Sequence, residues 1–436
     1  MKFKKILPQL ITAALSVVIL ICTFLFSKTV INNFPFTLYE KMGMYYHSEN
    51  ANVIIKDVSS FNGTHETFIT ILKKFAYQDS IVLNIVQAIL FSLLILIALV
   101  LISNATSKTN YKWTAYIASV LLPVVFLDYS NTAFFKTLYI NPLILTLLLL
   151  ICAVFLMMYK KNSAGIFGIT SVFIFTVIFS CLGNVQAITS IILGIIIIRL
   201  YKISKNNISK ILSITLGIVI IIQSIAFSFT YKAFDYKQNL YNSVFYGVCK
   251  YDSVTELGLD EKLDDFKEVY YGMKENEAEY DRENTFYSKI SYGDIIKYYV
   301  THPVNALKLI NNQARLSQFH EYNFGFTPYN TLKKSFSINL VYALIITVVY
   351  VLITTIVGKK YKKIKPVTEF ISGIAIMWFI SLIATSFYCG NSDIARNMYT
   401  YNILFDIMFL SGLIGGLRVV IHIQNEKKEE FGITHE

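Results

Sequence analysis

The sequence predicts an all-α polytopic membrane protein of about ten transmembrane helices with a small helical extracytoplasmic segment. Three observations carry this. Of the residues, 55% are hydrophobic and only 15% charged, and the mean hydropathy is +0.52. Apolar runs of about 20 residues recur, the length a helix needs to cross about 30 Å of hydrocarbon. Lysine and arginine gather in alternate short loops, the pattern of loops that stay on the cytoplasmic side. The 436-residue length alone would fit soluble domains, but the apolar runs override that reading.

The chain divides into three blocks. Residues 1–228 form an N-terminal membrane block of about seven spans, with a first outer loop at 28–80. Residues 229–335 form an extracytoplasmic helical insert. Residues 336–436 form a C-terminal membrane block of about three spans with a cytoplasmic tail.

Lys2, Lys4 and Lys5 precede a first span at 6–27. Its core is too long for a secretory signal, and Ile21-Cys22 lacks the small residue a lipoprotein cleavage site needs. The first outer loop is aromatic-rich, which suits the headgroup interface, and 66–77 reads as an interfacial helix. Further spans follow at 81–103, 113–127 with Pro123 inside, 138–158 and 166–182. Gly183-Asn184-Val185-Gln186 reads as a tight outer turn before a short sixth span at 187–200. A seventh lies at 211–227, and the last three at 336–358, 367–388 and 402–421. The inner loops carry Lys108 and Lys112, Lys160 and Lys161, Arg199 to Lys210, and the basic run from Lys359 to Lys365. The short outer loops hold only Lys136 and Arg396. Both termini are therefore expected in the cytoplasm.

The insert begins with an acidic helical pattern at 256–281, with Leu257, Leu259, Leu263 and Phe266 on its apolar side. Ser291-Tyr292-Gly293-Asp294 then opens a helix. Thr301-His302-Pro303 reads as a break and restart, with Thr301 as N-cap and Pro303 in the first turn. The next helix carries Ala306, Leu307, Leu309, Ile310 and Ala314, with Lys308 and Arg315 available for its polar side. The insert is expected to lie as a helical layer over the membrane block.

The net charge of +11 sits in loops between spans, not on a soluble face, so the chain is not read as a nucleic-acid binder. The five cysteines show no metal-ligand spacing. Cys22 and Cys152 pack as small hydrophobes, and Cys249 and Cys389 fall in outer loops where they could form a disulfide.

No Ser-His-Asp arrangement, phosphate-binding glycine loop or zinc signature is present. The chemistry left is carboxylates at the outer face: Glu40, Asp57, Asp128, Asp393 and, inside the last span, Asp406. An ionisable group inside a span is functional or paired. Asp393 and Arg396 are three apart and share a helix face. Their bland reading is an interfacial ion pair worth under about 1 kcal/mol. Their functional reading is an anion or sugar site, because a guanidinium grips phosphate. His302, alone before a proline, reads first as a turn or packing residue, and His320 has no companion at metal-ligand spacing.

Several stretches carry a resemblance. Residues 241–248 (Tyr-Asn-Ser-Val-Phe-Tyr-Gly-Val), followed by 256–260 (Glu-Leu-Gly-Leu-Asp), resemble the membrane hexose transferases of bacterial surface-glycan clusters, the WsfD type. Residues 294–303, the aromatic loop 130–142, and 393–397 with 402–406 are similar to further motifs of that family. The resemblance implies a GT-C-like glycosyltransferase that takes a hexose from a polyprenyl-phosphate carrier outside the membrane and passes it to a cell-surface glycan. It implies Glu40, Asp128 and Asp393 as catalytic carboxylates and Arg396 as the phosphate-binding cation, with Asp406, Tyr246 and His302 in support. Its partners would be membrane lipids, the lipid-linked sugar and the glycan acceptor. No cofactor beyond that donor is implied, and a divalent metal and the oligomeric state stay open. The family's first outer loop usually offers an Asp soon after the first span, where this chain reads Asn32-Asn33-Phe34-Pro35-Phe36. Either Glu40 or Asp128 takes that role, or the chain is a non-catalytic relative. The other class of reading is a transport or polymerase partner in lipid-linked glycan export. Transport predicts polar residues deep in several spans and helices broken at mid-membrane. The spans here are mostly uninterrupted Ile, Leu and Val.

Overall fold

The computed structural model describes residues 2–26, 44–47, 52–55, 80–107, 112–136, 139–230, 236–261, 286–316, 338–391 and 394–430. The interfacial helix expected at 66–77 and most of the acidic pattern at 256–281 lie outside the described residues.

The protein is a nearly all-helical polytopic membrane protein. Eight described helices are long and apolar enough to cross a bilayer, and two shorter apolar helices, Trp113–Phe126 and Ile166–Ser180, take the places of the expected third and fifth spans. In chain order these ten helices are α1 (Lys2–Phe26), α2 (Ser80–Thr106), α3 (Lys112–Phe126), α5 (Asn141–Lys160), α6 (Ile166–Ser180), α7 (Asn184–Arg199), α8 (Asn207–Thr230), α12 (Leu340–Lys360), α13 (Lys365–Cys389) and α15 (Tyr399–Glu430). A four-residue helix α4 (Tyr129–Thr132) follows α3, and another, α14 (Ile394–Asn397), precedes α15. The insert contributes α9 (Tyr236–Phe245), α10 (Tyr292–Thr301) and α11 (Pro303–Leu316). A small antiparallel hairpin, β1 (Met44–His47) with β2 (Asn52–Ile55), sits in the first long loop and pairs Tyr45 with Ile54 and Tyr46 with Val53. Aromatic and β-branched side chains favour that extended pairing.

Local chemistry sets the helix ends. α5 and α13 each carry proline at the start, where a missing N–H costs nothing. Asn339 caps α12 by accepting from the Tyr342 N–H at 2.9 Å. Ser291 and Asp294 form a reciprocal capping box at the head of α10, where the sequence places a helix start. α3 runs through Pro123, whose carbonyl still accepts from the Leu127 N–H at 2.9 Å.

Three expectations need correction. Asn184 to Gln186 form the first turn of α7 and not a tight turn, and with the 3-10 turn that follows the sixth span reaches Lys202. The Asn184 side chain donates to the Ser228 carbonyl of α8 at 3.1 Å, which ties that turn down as helix. Thr301 is the last residue of α10 and not an N-cap; its hydroxyl donates back to the Tyr298 carbonyl. The His302 carbonyl takes the N-cap role, accepting from Asn305 and Ala306. Cys249 and Cys389 are not joined by a disulfide; both keep their thiols.

One apolar core runs from α1 to α15 and includes Phe91, Leu149, Phe179, Trp378 and Leu404. Phe155 of α5 stacks on Phe370 of α13 at 4.2 Å, and Trp378 stacks on Tyr401 at 5.2 Å. The outward faces are apolar as well. α12 leaves Val341, Ile345, Leu352 and Ile356 more than half exposed or close to it, which suits a hydrocarbon surrounding and not water. A second cluster joins α9, α10 and α11 to the end of α13, through Val244, Phe245, Phe286, Ile295, Tyr299 and Tyr388. Tyr292 donates to the Tyr388 carbonyl at 3.2 Å, and Tyr388 donates to the Ser228 carbonyl at 3.0 Å. The insert helices are therefore seated on one end of the bundle. The basic loops mark the opposite end, where Lys160 donates to the Asn104 carbonyl at 2.5 Å and Arg199 pairs with Glu369.

α7 and α8 cross at a pair of glycines. A Cβ on Gly217 would stand 2.7 Å from the Gly194 carbonyl oxygen, so the backbones meet as closely as small residues allow in a membrane bundle. Gly217→Val is expected to lower stability by about 1–3 kcal/mol through overpacking. A fall in the thermal midpoint of the detergent-purified protein checks this; an unchanged midpoint would contradict the close crossing.

Candidate functional site

At the end of the bundle that carries the insert, two loops meet. The first leaves α3. The Asp128 carboxylate accepts from the Ser130 N–H at 3.0 Å and from the Ser130 hydroxyl at 2.7 Å, which turns the chain into α4. The Asn131 amide donates to the Val125 carbonyl at 3.1 Å. A 3-10 turn then buries Phe134 and Phe135, and the loop continues through Tyr139 to Asn141 at the head of α5.

The second loop leaves α13 at Gly390, whose φ of 55° favours glycine. Adding a Cβ there would also crowd the backbone at Tyr246 and Gly247. The Asn391 N–H donates to the Tyr246 carbonyl at 3.1 Å, so the insert grips this turn directly. α14 then presents Arg396, which is only 7% exposed. Its guanidinium lies 5.2 Å from the centre of the Tyr139 ring, a cation–π distance. The Asn141 amide donates to the Arg396 carbonyl at 3.3 Å. Phe134 meets Tyr139 and Tyr399 edge-on, at 6.1 Å and 5.4 Å. The Tyr399 hydroxyl donates to the Asn131 carbonyl at 3.0 Å. Gln186 donates to the Thr400 hydroxyl at 2.9 Å and ties α7 to the same corner. Asp406 is fully buried two turns further along α15, on the face that Tyr399 occupies.

Asp128 and Arg396, remote in sequence, thus sit on two loops that are packed together. Tyr246 is 40% exposed and borders the turn that leads to Arg396. Glu40 and Asp393 lie outside the described residues. His302 occupies another neighbourhood. It stacks on Tyr298 with ring centres 4.5 Å apart, and its Nε2 lies 4.0 Å from a Glu256 carboxylate oxygen. This is the packing role that its position before a proline favours. Tyr139, Asn141, Gln186 and Tyr399 were not singled out from the sequence, because uncharged residues in aromatic stretches carry no signal until their partners are known.

Beside His302 lies a polar cluster that the sequence did not announce. The Tyr298 hydroxyl donates to Asp252, and the Asn305 amide donates to the same carboxylate oxygen at 2.7 Å. Burial, helped by the bond to Asp252, pushes the Tyr298 phenol well above its ordinary range, so it stays a donor. Burial raises Tyr299 in the same direction, and Tyr299 stacks on Phe387 at 4.9 Å. The Tyr299–Phe387 stack holds the insert on α13, while the Asp252 cluster braces the insert itself. Among the described residues no group of three His, Cys, Asp or Glu side chains gathers in a metal-binding arrangement.

The fold and this packed rim define a polytopic, lipid-embedded helical protein with a structured cap at one end. The family model described as the YfdI N-terminal transmembrane domain matches residues 2–433, and the chain belongs to that family. No curated protein and no solved structure matches it.

Two substitutions test the rim. Asp128→Ala removes the acceptor of the turn and is expected to cost about 0.5–2 kcal/mol, whereas Asp128→Asn keeps an acceptor oxygen and most of the stability. Tyr399→Phe is expected to cost about 1 kcal/mol through the lost bond to Asn131. Thermal melts of the purified variants check both, and equal midpoints for Ala and Asn at position 128 would contradict the turn's role.

Proposed function

We propose that the protein is an integral-membrane glycosyltransferase of the WsfD-like, GT-C type. It transfers a hexose from a polyprenyl-phosphate donor to a cell-surface glycan on the extracytoplasmic face. The observation that carries the reading is the buried Arg396 guanidinium on the Tyr139 ring, in the same corner as the Asp128 turn. A desolvated cation at a bundle end is suited to an anionic headgroup, since charge interactions strengthen where water is excluded.

The chemistry is that of glycosyl transfer. The bond between the sugar's anomeric carbon and the carrier phosphate breaks, a bond to the acceptor oxygen forms, and the acceptor's proton goes to a carboxylate. Arg396 takes up the negative charge left on the departing polyprenyl phosphate. Asp128, Glu40 and Asp393 are the carboxylates proposed for the proton, with Asp406 and Tyr246 in support. His302 is left out of the reacting set, because its contacts tie it to Tyr298 and Glu256.

The orientation belongs to the same proposal. The basic loops at 159–163, 199–210 and 359–365 favour the cytoplasmic side, which puts the insert end outside. Nucleotide sugars stay in the cytoplasm, so a transferase facing outwards needs a lipid-borne donor.

Reconstitution in liposomes with polyprenyl-phosphate-linked hexose tests the reading. Arg396→Ala is expected to lower transfer at least about a hundredfold, the range of removing one charge-stabilising donor, with Arg396→Lys recovering part of it. Asp128→Asn folds, and a loss of transfer in that variant separates a proton-accepting role from the turn's structural one. Wild-type surface glycan in cells carrying Arg396→Ala would sink the proposal. So would labelling of a cysteine placed at Gly258 only from the cytoplasmic side.

A further inference from the structure

The end of the bundle opposite the insert carries a second built feature. A cavity of about 370 Å³ lies between α7, α12 and α13, with Phe155 of α5 at its back. Its walls are apolar: Ile192, Ile196, Val351, Phe370 and Ile376. The nearby hydroxyls are spent elsewhere, since Thr354 and Ser372 bond each other at 2.5 Å and Ser372 also donates to the Thr368 carbonyl at 2.9 Å. Ile195 and Thr355, which line the cavity, are exposed on helix faces that look onto hydrocarbon. Along α13 it extends from Pro366 to Ile376, roughly 15 Å at 1.5 Å per residue, about the depth of one bilayer leaflet.

Its rim is charged and ordered. Arg199 makes a two-pronged pair with Glu369, Nε to one oxygen at 3.1 Å and the terminal nitrogen to the other at 2.5 Å. Lys202 lies 3.6 Å from the same carboxylate, and Lys365 stands one turn before Glu369 at the start of α13. Three cations meet one anion, so a net positive charge of two remains at the mouth of an apolar slot. Protein interiors do not leave slots of this size empty without losing contact energy. A membrane protein can fill one from the bilayer.

We infer that this slot is a binding site for one anionic phospholipid, an acyl chain filling the apolar cavity and the headgroup phosphate held by Lys202 and Lys365 beside the Arg199–Glu369 pair. The charge complementarity selects an anionic lipid over a zwitterionic one, and apolar walls that include the exposed, hydrocarbon-facing Ile195 select a bilayer lipid over a water-soluble ligand. The lipid would brace α12, which has little protein around it, against α7 and α13. The site is separate from the Arg396 corner and does not depend on the proposed transfer reaction.

The test uses the full chain, purified and stripped of native lipid in detergent. Phosphatidylglycerol and phosphatidylcholine with identical chains are titrated, and bound lipid is counted by native mass spectrometry. The expected result is one phosphatidylglycerol bound at least about tenfold more tightly than phosphatidylcholine, ~1.4 kcal/mol. Thr355→Trp, which sets a bulky ring at the cavity wall, is expected to abolish that single high-affinity binding. Lys202→Ala with Lys365→Ala leaves the Arg199–Glu369 pair intact and is expected to remove the preference while weak binding of both lipids persists. Equal affinity for the two lipids in the wild type, or an unchanged preference in the double variant, overturns the inference. The double variant keeps the test decisive should Thr355→Trp fail to fold.

Discussion

The structure depends on one constraint: in hydrocarbon, every backbone N–H and C=O must be bonded within the protein. Continuous helices meet it, which is why the apolar runs are uninterrupted, and several side-chain hydroxyls in the spans bond their own helix. Thr146, Thr176 and Thr347 each donate to the carbonyl four residues earlier, and so bring no unmet polarity into the lipid. Among the described residues the irregular backbone is confined to the two ends, where neighbouring segments can satisfy it. The Asp128 turn, the Gly390 turn and the His302 break are all stabilised by carbonyls or carboxylates from adjoining pieces.

With the helices given, close packing decides what they present. The α7–α8 crossing at Gly194 and Gly217 brings the head of α7 to the foot of α8, so Asn184 reaches Ser228 and Gln186 reaches Thr400. The stack of Phe155 on Phe370 and the buried Trp378 hold α13 in the middle of the bundle. α13 then carries features at both ends: the Gly390 turn that leads to Arg396, and Glu369 at the rim of the lipid slot. A single helix thereby links the capped end to the basic end.

The insert is less an added domain than a lid fastened to α13. Tyr292 and Tyr299 bury their rings against Tyr388 and Phe387, the Tyr292 hydroxyl donates to the Tyr388 carbonyl, and the Tyr298 hydroxyl donates to Asp252. An aromatic ring with one polar tip suits a boundary between lipid and water, because each end finds its preferred surroundings.

The amino-acid sequence by itself determined the membrane class, the approximate spans and the helix start at Ser291, because hydrophobic length, basic loops and turn residues are local quantities. It also pointed to Asp128 and Arg396, since the short outer loops carry few charges. It misjudged Gly183 to Gln186 and Thr301, where a tertiary bond or a carbonyl cap outweighed the local turn signal. Only the tertiary structure decided that Arg396 lies on Tyr139, that Tyr399 reaches Asn131, and that Arg199 and Glu369 frame a slot. These pairs are separated by well over a hundred residues, and no local pattern encodes which helices become neighbours. That choice is made by the fit of whole helix faces against one another.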